Sequence, residues 1–269
     1  MIYATSVGTI QNRRQTGFTL AELAISMIIL ALLLGALLGP IGRQVDQSQV
    51  NATERQLADI KDALLGHLVI NRQLPCPDVD GDGVEDRVPA GSCSSLLGWL
   101  PWTTLNVPEA DAWNTRFRYR VSDQFTVATT MSPMPSGYSG LSLATATSGN
   151  IVINQRAVNK SSLLLAGSPS GNPPGVAAVV LSFGKNTLGG TMAGGTARQL
   201  PTNNDETLNA AASAGASVAA TFIIRTPKDE DNPCSDTAGT TPMCAFDDQL
   251  IWLSANTIIS RLVIAGRIP

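Results

Sequence analysis

Five of the nine residues in Asp78-Val79-Asp80-Gly81-Asp82-Gly83-Val84-Glu85-Asp86 are acids. Alternating carboxylates on a glycine-rich turn supply the hard oxygen ligands, about six to eight of them, that Ca²⁺ takes. Asp78, Asp80 and Asp82 would bind through side-chain oxygens, Val84 through its carbonyl, and Asp86 directly or through water. Glu85 is either a ligand or a solvated side chain. Calcium is the expected cofactor, against the plainer alternative of an acidic turn facing water. Cys76 and Cys93 bracket the string. A bridge between them would close about 16 residues, contribute on the order of 3 kcal/mol in the chain-entropy picture, and hold the acids together before metal arrives.

The layout resembles the first half of an EF-hand loop. There, positions one, three and five carry side-chain oxygens and a glycine sixth makes the turn. Asp78, Asp80, Asp82 and Gly83 match that order. The twelfth position, a bidentate glutamate in that loop, is Pro89 here. The string is more similar to the shorter calcium loops of dockerins and thrombospondin type 3 repeats. Without a further carboxylate, its affinity should be lower.

Other chemistry is sparse. The chain has one histidine, His67, beside an apolar helical stripe, and its expected role is packing. No G-x-S-x-G, P-loop or HExxH is present, so no enzyme is expected. Asp247 and Asp248 are adjacent acids. Neighbours on a strand point to opposite faces, which favours a turn or capping role for them. The stretch from Asp229 to Asp236 lacks alternation and reads as an exposed loop. The four cysteines allow three pairings. The local ones, Cys76 with Cys93 and Cys234 with Cys244, are expected, because each closes a loop rich in turn-forming residues. A zinc site is disfavoured, since no C-x-x-C or nearby histidine accompanies them.

A second charge stands out for its setting. Arg13-Arg14 precede Gly17, and about twenty largely apolar residues follow, with Glu22 as their one charge. An unpaired carboxylate at a bilayer centre costs roughly 2.5 kcal/mol or more, so Glu22 is a candidate for pairing with another subunit. A secretory signal has a shorter apolar core. The residues after the arginine pair fit a twin-arginine signal poorly, and a plain single-span anchor remains an alternative.

Gly17-Phe18-Thr19-Leu20-Ala21-Glu22 resembles the processing site of type IV pilins and of type II secretion pseudopilins. The resemblance implies a prepilin peptidase that cuts between Gly17 and Phe18 and methylates the new terminus. It implies that Glu22 takes part in filament assembly. Asp111-x-Trp113-Asn114-x-x-Phe117-x-Tyr119 is similar to the entry into the sheet of major pseudopilins, where glycine usually stands at the position of Asn114. Asparagine tolerates positive φ better than most residues, so the departure is mild. Phe246-Asp247-Asp248 and the closing Ala265 to Pro269 resemble the ending of a group of prepilin-like proteins, which suggests a minor subunit.

The elements must position these groups. The chain has 269 residues, 14% of them charged, and a formal charge of −3. Loss of 1–17 would remove two arginines and no acid. No basic cluster follows the leader, so no nucleic-acid partner is indicated. The expected fold is α+β. A long N-terminal helix, with a membrane-spanning first half, packs on an antiparallel β-sheet head with long loops. The division is 1–17 leader, 18–41 transmembrane and assembly helix, 42–72 periplasmic half of the helix, and 73–269 head.

Gly35, Gly39, Pro40 and Gly42 should kink or locally melt the helix. Val50, Leu57, Ile60, Leu64 and Leu68 fall at helical spacing. Residues 74–102 read as loop. Phe117, Tyr119 and Val121 alternate with Arg116, Arg118 and Arg120 as a half-buried strand, whose arginine face is expected to be solvated, with a partner patch as the alternative. Further strands are expected over 125–130, 151–154, 162–166, 176–183, 219–226 and 249–253, and a last helix over 257–265 capped by Ser254 or Asn256. Segments 184–195 and 203–217 are low in complexity and expected to be mobile.

The reading that results is a minor type IV pilin or pseudopilin-like subunit. Its expected partners are a prepilin peptidase, other pilin or pseudopilin subunits, an inner-membrane assembly platform, and lipid before assembly. It would sit in the inner membrane with a periplasmic head, then in a pilus or pseudopilus. The competing reading is a single-span, calcium-stabilised periplasmic binding domain that never polymerises.

Overall fold

In this computed structural model, the described residues are 17–89, 91–126, 151–167, 175–211, 220–228, 233–237 and 239–266, with backbone only at 36–41 and 211. The chain divides into two units, Met1–Gln47 and Ser48–Pro269. Helix α1, Leu20–Asn71, contributes to both.

In the first unit, α1 begins after Thr19 and continues through Gly39 and Pro40. The expected interruption does not end the helix. A proline lacks one N–H donor, which costs α1 a backbone bond but leaves the helix continuous. Every large apolar side chain from Phe18 to Leu34 is at least 52% exposed. Among the described residues, no helix is long and apolar enough to cross a membrane. Side chains are described over 20–35, where all but Glu22 and Ser26 are apolar. The span expected over 18–41 is therefore not shown by them.

The second unit is built on one seven-stranded sheet. Strand β5, Val176–Ser182, is its centre. It pairs antiparallel with β2, Arg118–Val121, on one side and with β7, Gln249–Ser254, on the other. Strand β1, Leu97–Trp99, extends the β2 edge. Strand β3, Ile151–Arg156, joins β5 at Ile151–Val176 and carries antiparallel β4, Ser162–Ala166, and parallel β6, Ala220–Ile224. The sheet is mixed rather than antiparallel throughout. The parallel β3–β6 pair explains the difference, because it requires a long crossover that local strand patterns do not reveal.

Strand β5 is buried along its whole length. Ala178 and Val180 enter one core with Leu57, Ile60, Leu64 and Leu68 of α1 and Phe117, Tyr119 and Val121. Val179 and Leu181 enter the other, with Ile151, Phe222, Leu250 and Ala210. A strand covered on both faces reads as a continuous apolar run, as 176–181 does. The last helix, α4, Ala255–Ile264, is capped by Ser254, whose hydroxyl accepts from Thr257 N at 3.2 Å. Ile258 and Leu262 bury its inner face.

Several local expectations need correction. Within 74–102, β1 is formed, and the short helix α2, Trp102–Leu105, starts at the end of that segment. Phe125 lies in the 3₁₀ turn Asp123–Phe125, and 127–130 are outside the described residues. Helix α3, Asn204–Ala211, occupies part of the segment expected to be mobile, and 212–217 are outside the described residues. Hydrogen bonds such as Gly189 N to Gln199 O, 2.7 Å, and Arg198 N to Gly190 O, 2.9 Å, order 184–195.

The arginine face of β2 is not solvated. Arg120 is 2% exposed, and burial lowers the pKa of Arg118 and Arg120. Arg116 stacks on Trp99 and Trp102 and pairs with Glu109 at 2.7 Å. Alternation places these side chains on one face; it does not say what covers that face.

Candidate functional site

The 78–86 loop is held from several sides. Asp78 N donates to Trp99 O at 3.0 Å, and Trp99 N returns to Asp78 O at 2.8 Å, so the loop begins paired antiparallel with the end of β1. Gly83 O accepts from Thr103 N at 2.9 Å at the start of α2. Gly81 and Gly83 adopt φ of +88° and +85°, a region that side chains disfavour. A disulfide joins Cys76 to Cys93, and another joins Cys234 to Cys244.

The acids divide into those that converge and those that do not. Asp78, Asp80 and Asp86 each place a carboxylate oxygen within 4.8 Å of the others. Asp78 is fully buried and accepts from Gly81 N at 2.7 Å and Gly83 N at 2.9 Å. Burial raises its pKa, with Asp80 and Asp82 adding repulsion, while the two amides oppose the rise. Asp86 accepts from Val79 N at 2.7 Å. Asp82 is outside the convergent group and accepts from Val84 N at 2.7 Å.

Glu85 is neither a ligand of this group nor a solvated side chain. It accepts from Cys76 N and from Arg87 Nε, both at 2.9 Å. Arg87 also donates to Leu74 O, Gly91 O and Thr126 O. That ion pair ties the loop to the disulfide. Three converging carboxylates on a fixed turn suit a hard cation, and the amides they accept from leave further lone pairs for one.

At the start of α1, Glu22 Oε2 accepts from Thr19 N and Thr19 Oγ, both at 2.9 Å, and Glu22 N donates to Thr19 Oγ at 3.3 Å. This is a reciprocal capping box, which satisfies amides that the first helical turn leaves unpaired. The Thr-x-x-Glu spacing was readable in the sequence. Gly17 and Phe18 precede it, Phe18 is 84% exposed, and residues 1–16 of the expected leader 1–17 lie outside the described residues.

His67 Nδ1 lies 3.1 Å from Gln73 O at the end of α1, and burial lowers its pKa. The Asp111 motif also has a structural task. Asp111 accepts from Trp113 N, Thr115 N and Ser182 Oγ, the last at 2.6 Å, which offsets the rise in pKa that burial causes. Asn114 takes φ +64° in that turn, as its tolerance of positive φ allows.

Two further groupings are assembled from distant segments. Asp205 pairs with Arg156 at 2.6 Å and Arg225 at 3.1 Å, and Arg225 with Asp236 at 3.3 Å. Glu206, Asp247 and Asp248 form a second convergent acid group. The two aspartates, expected to diverge, both approach Glu206, because Asp247 precedes β7 rather than lying in it.

Residues 12–38 match the family described as the prokaryotic N-terminal methylation motif. No curated protein matches the chain, and no solved structure does.

Proposed function

We propose that this chain, which carries the prokaryotic N-terminal methylation motif, is a minor type IV pilin or pseudopilin subunit rather than an enzyme. A prepilin peptidase cuts it between Gly17 and Phe18 and methylates Phe18. Residues 18–41 hold the precursor in the inner membrane with its head in the periplasm. An assembly platform then moves it into a pilus or type II secretion pseudopilus beside other subunits. The single observation that carries this reading is the motif, placed where an apolar helix begins with an exposed glutamate.

The physical support is the state of 18–34. Large apolar side chains exposed around a whole helix need lipid or other helices to cover them. Among the described residues, the Glu22 carboxylate is held by Thr19. Once the helix leaves lipid for a bundle, an unpaired carboxylate would be strongly disfavoured. The cut creates the amine that can pair with it, on Phe18 of the neighbouring copy. In the head, Asp78, Asp80 and Asp86 hold Ca²⁺, joined by Asp82 or the Val84 carbonyl if the loop closes on the ion.

Co-expression with a prepilin peptidase tests the processing. Intact mass should show loss of 1–17 and a methyl group on Phe18, and Gly17→Val should block both. A cut beyond residue 38 would reject the reading. Assembly is tested by shearing filaments and blotting for the subunit. Glu22→Gln keeps a residue able to close the capping box but removes the charge. It should leave cleavage intact and reduce incorporation as strongly as Glu22→Ala does. Full recovery of the Gln variant would assign Glu22 to helix capping alone.

A further inference from the structure

We propose that Glu206, Asp247 and Asp248 form a second Ca²⁺ site, separate from the 78–86 loop. Glu206 comes from the first turn of α3, and the two aspartates come from the residues just before β7. Each contributes a carboxylate oxygen within 4.8 Å of the other two. An ion at the centre of such a triangle would lie about 2.8 Å or less from every oxygen, close to the roughly 2.3–2.6 Å of Ca²⁺–O contacts.

A convergence of acids is common on surfaces and proves nothing there. This one is interior. Glu206 is 2% exposed and Asp248 is 5% exposed. Asp248 Oδ2 accepts from Asn209 Nδ2 at 2.8 Å, but Asp248 Oδ1 is shielded from solvent and has no hydrogen-bond partner. Asp247 repeats the pattern, with Oδ2 accepting from Asn186 N at 2.7 Å and Oδ1 shielded and unpartnered. Carboxylate oxygens are acceptors, and leaving one buried without a partner costs about 1–3 kcal/mol or more. Two such oxygens on adjacent residues, beside a third carboxylate, ask for a cation.

The neighbouring charges show what compensation looks like. Asp205 and Asp236 are matched by Arg156 and Arg225. Arg225 is also the cation that offsets Asp248, yet it is already shared between two other carboxylates. The donors around Glu206 are neutral amides: Asn186 Nδ2, Asn203 Nδ2 and Asp247 N. They orient the carboxylate without cancelling the summed charge of the three acids. Without an ion the group must hold protons, and burial with repulsion from Glu206 does push Asp247 up to about 7 and Asp248 well above its usual range.

The ion is Ca²⁺ rather than Mg²⁺. Mg²⁺ demands near-ideal octahedral geometry at roughly 2.0–2.1 Å, tighter than three carboxylates tethered by α3, Asn186 and Asn209 provide. Its role is to bind α3 to the base of β7. Asn209 of the same helix already reaches that base, donating to Asp248 at 2.8 Å, and it also bonds Ile223 N and O of β6.

The test is Ca²⁺ stoichiometry by equilibrium dialysis on the detergent-solubilised full chain at pH 8. An Asp80→Ala, Asp86→Ala variant disables the loop site and should still bind one Ca²⁺ per chain. Adding Asp248→Asn should abolish that binding, and a tenfold excess of Mg²⁺ should not displace it. No bound Ca²⁺ in a loop variant that melts cooperatively would overturn the proposal, since protons then compensate the acids. Retention of the ion by a folded Asp248→Asn variant would also overturn it, as would displacement by equal Mg²⁺. If Asp248→Asn fails to fold, Asp247→Asn decides in its place, with the same two outcomes.

Discussion

The acids of the 78–86 loop and those around Glu206 are organised in opposite ways. The loop acids are near neighbours in sequence, and backbone amides of the same turn answer them. Asp78 alone accepts from Gly81 N and Gly83 N. Glu206 and Asp247 are 41 residues apart in the chain, and the group they form with Asp248 retains unpartnered oxygens. The difference teaches that a recognisable acidic motif can be largely self-satisfied, whereas unmet demand for charge arises where the fold forces distant acids together.

The sharpest way to break the comparison is to disturb the glycine beside each group. Gly83 has φ +85°, and a Cβ there would run into Trp102 and Thr103. Gly184 has φ +58°, and a Cβ there would run into the Asp247 carbonyl. Alanine at either position meets an unfavourable φ and a steric conflict. Each variant should lose about 3 kcal/mol or more, read as a lower urea midpoint. Gly83→Ala should also weaken Ca²⁺ binding at the loop, and Gly184→Ala at the Glu206 group. A loss under about 1 kcal/mol would mean that the glycine does not set the geometry of its site.

Next in size is the pH response with chelator present. Burial and Glu206 raise the Asp247 pKa from 3.8 to about 7, so the folded state binds more protons than the unfolded state between those values. Stability should then be highest near pH 4 and fall by up to a few kcal/mol as pH rises through about 7. Saturating Ca²⁺ should flatten the fall, because the ion replaces the proton. Asp247→Asn should make the slope shallower in chelator, with the remainder coming from Asp248, whose pKa burial also raises. A chelated wild type whose stability is flat from pH 4 to 7 would contradict the unmet charge.

The smallest effect has the most telling sign. In chelator, Asp78→Asn turns an NH₂ toward a backbone N–H and should destabilise by about 1–3 kcal/mol. Asp248→Asn relieves repulsion and should be neutral or stabilising by about 1 kcal/mol under the same conditions. Thermal melts of the two variants settle it, and equal losses would erase the distinction between the groups.

Much of the frame was legible in the sequence. The helical spacing of Val50, Leu57, Ile60, Leu64 and Leu68 marked the inner stripe of α1; the four from Leu57 on are buried, and Val50 is half-buried. Strand β4 has the bounds that its composition suggests. A strand was expected over 176–183, and β5 forms at Val176–Ser182. The cysteine pairs closed locally, as their turn-rich loops favoured. The site residues were legible only in part. The alternation of 78–86 named the acids, but not which of them converge, since Asp82 follows its own local bond to Val84 N.

By itself the sequence determined what depends on near neighbours. That includes the N-terminal motif, the helical and strand periods, the turn glycines and the Thr19–Glu22 cap. Only the tertiary structure decided what covers each face and which distant groups meet. It buried Arg120, gave Glu85 to Arg87, and set β6 parallel to β3. It also brought Asp247 and Asp248 to Glu206. The physical reason is that backbone geometry fixes a side chain's direction within a few residues. The dielectric and the partners around it come from chain segments whose arrival no local pattern encodes.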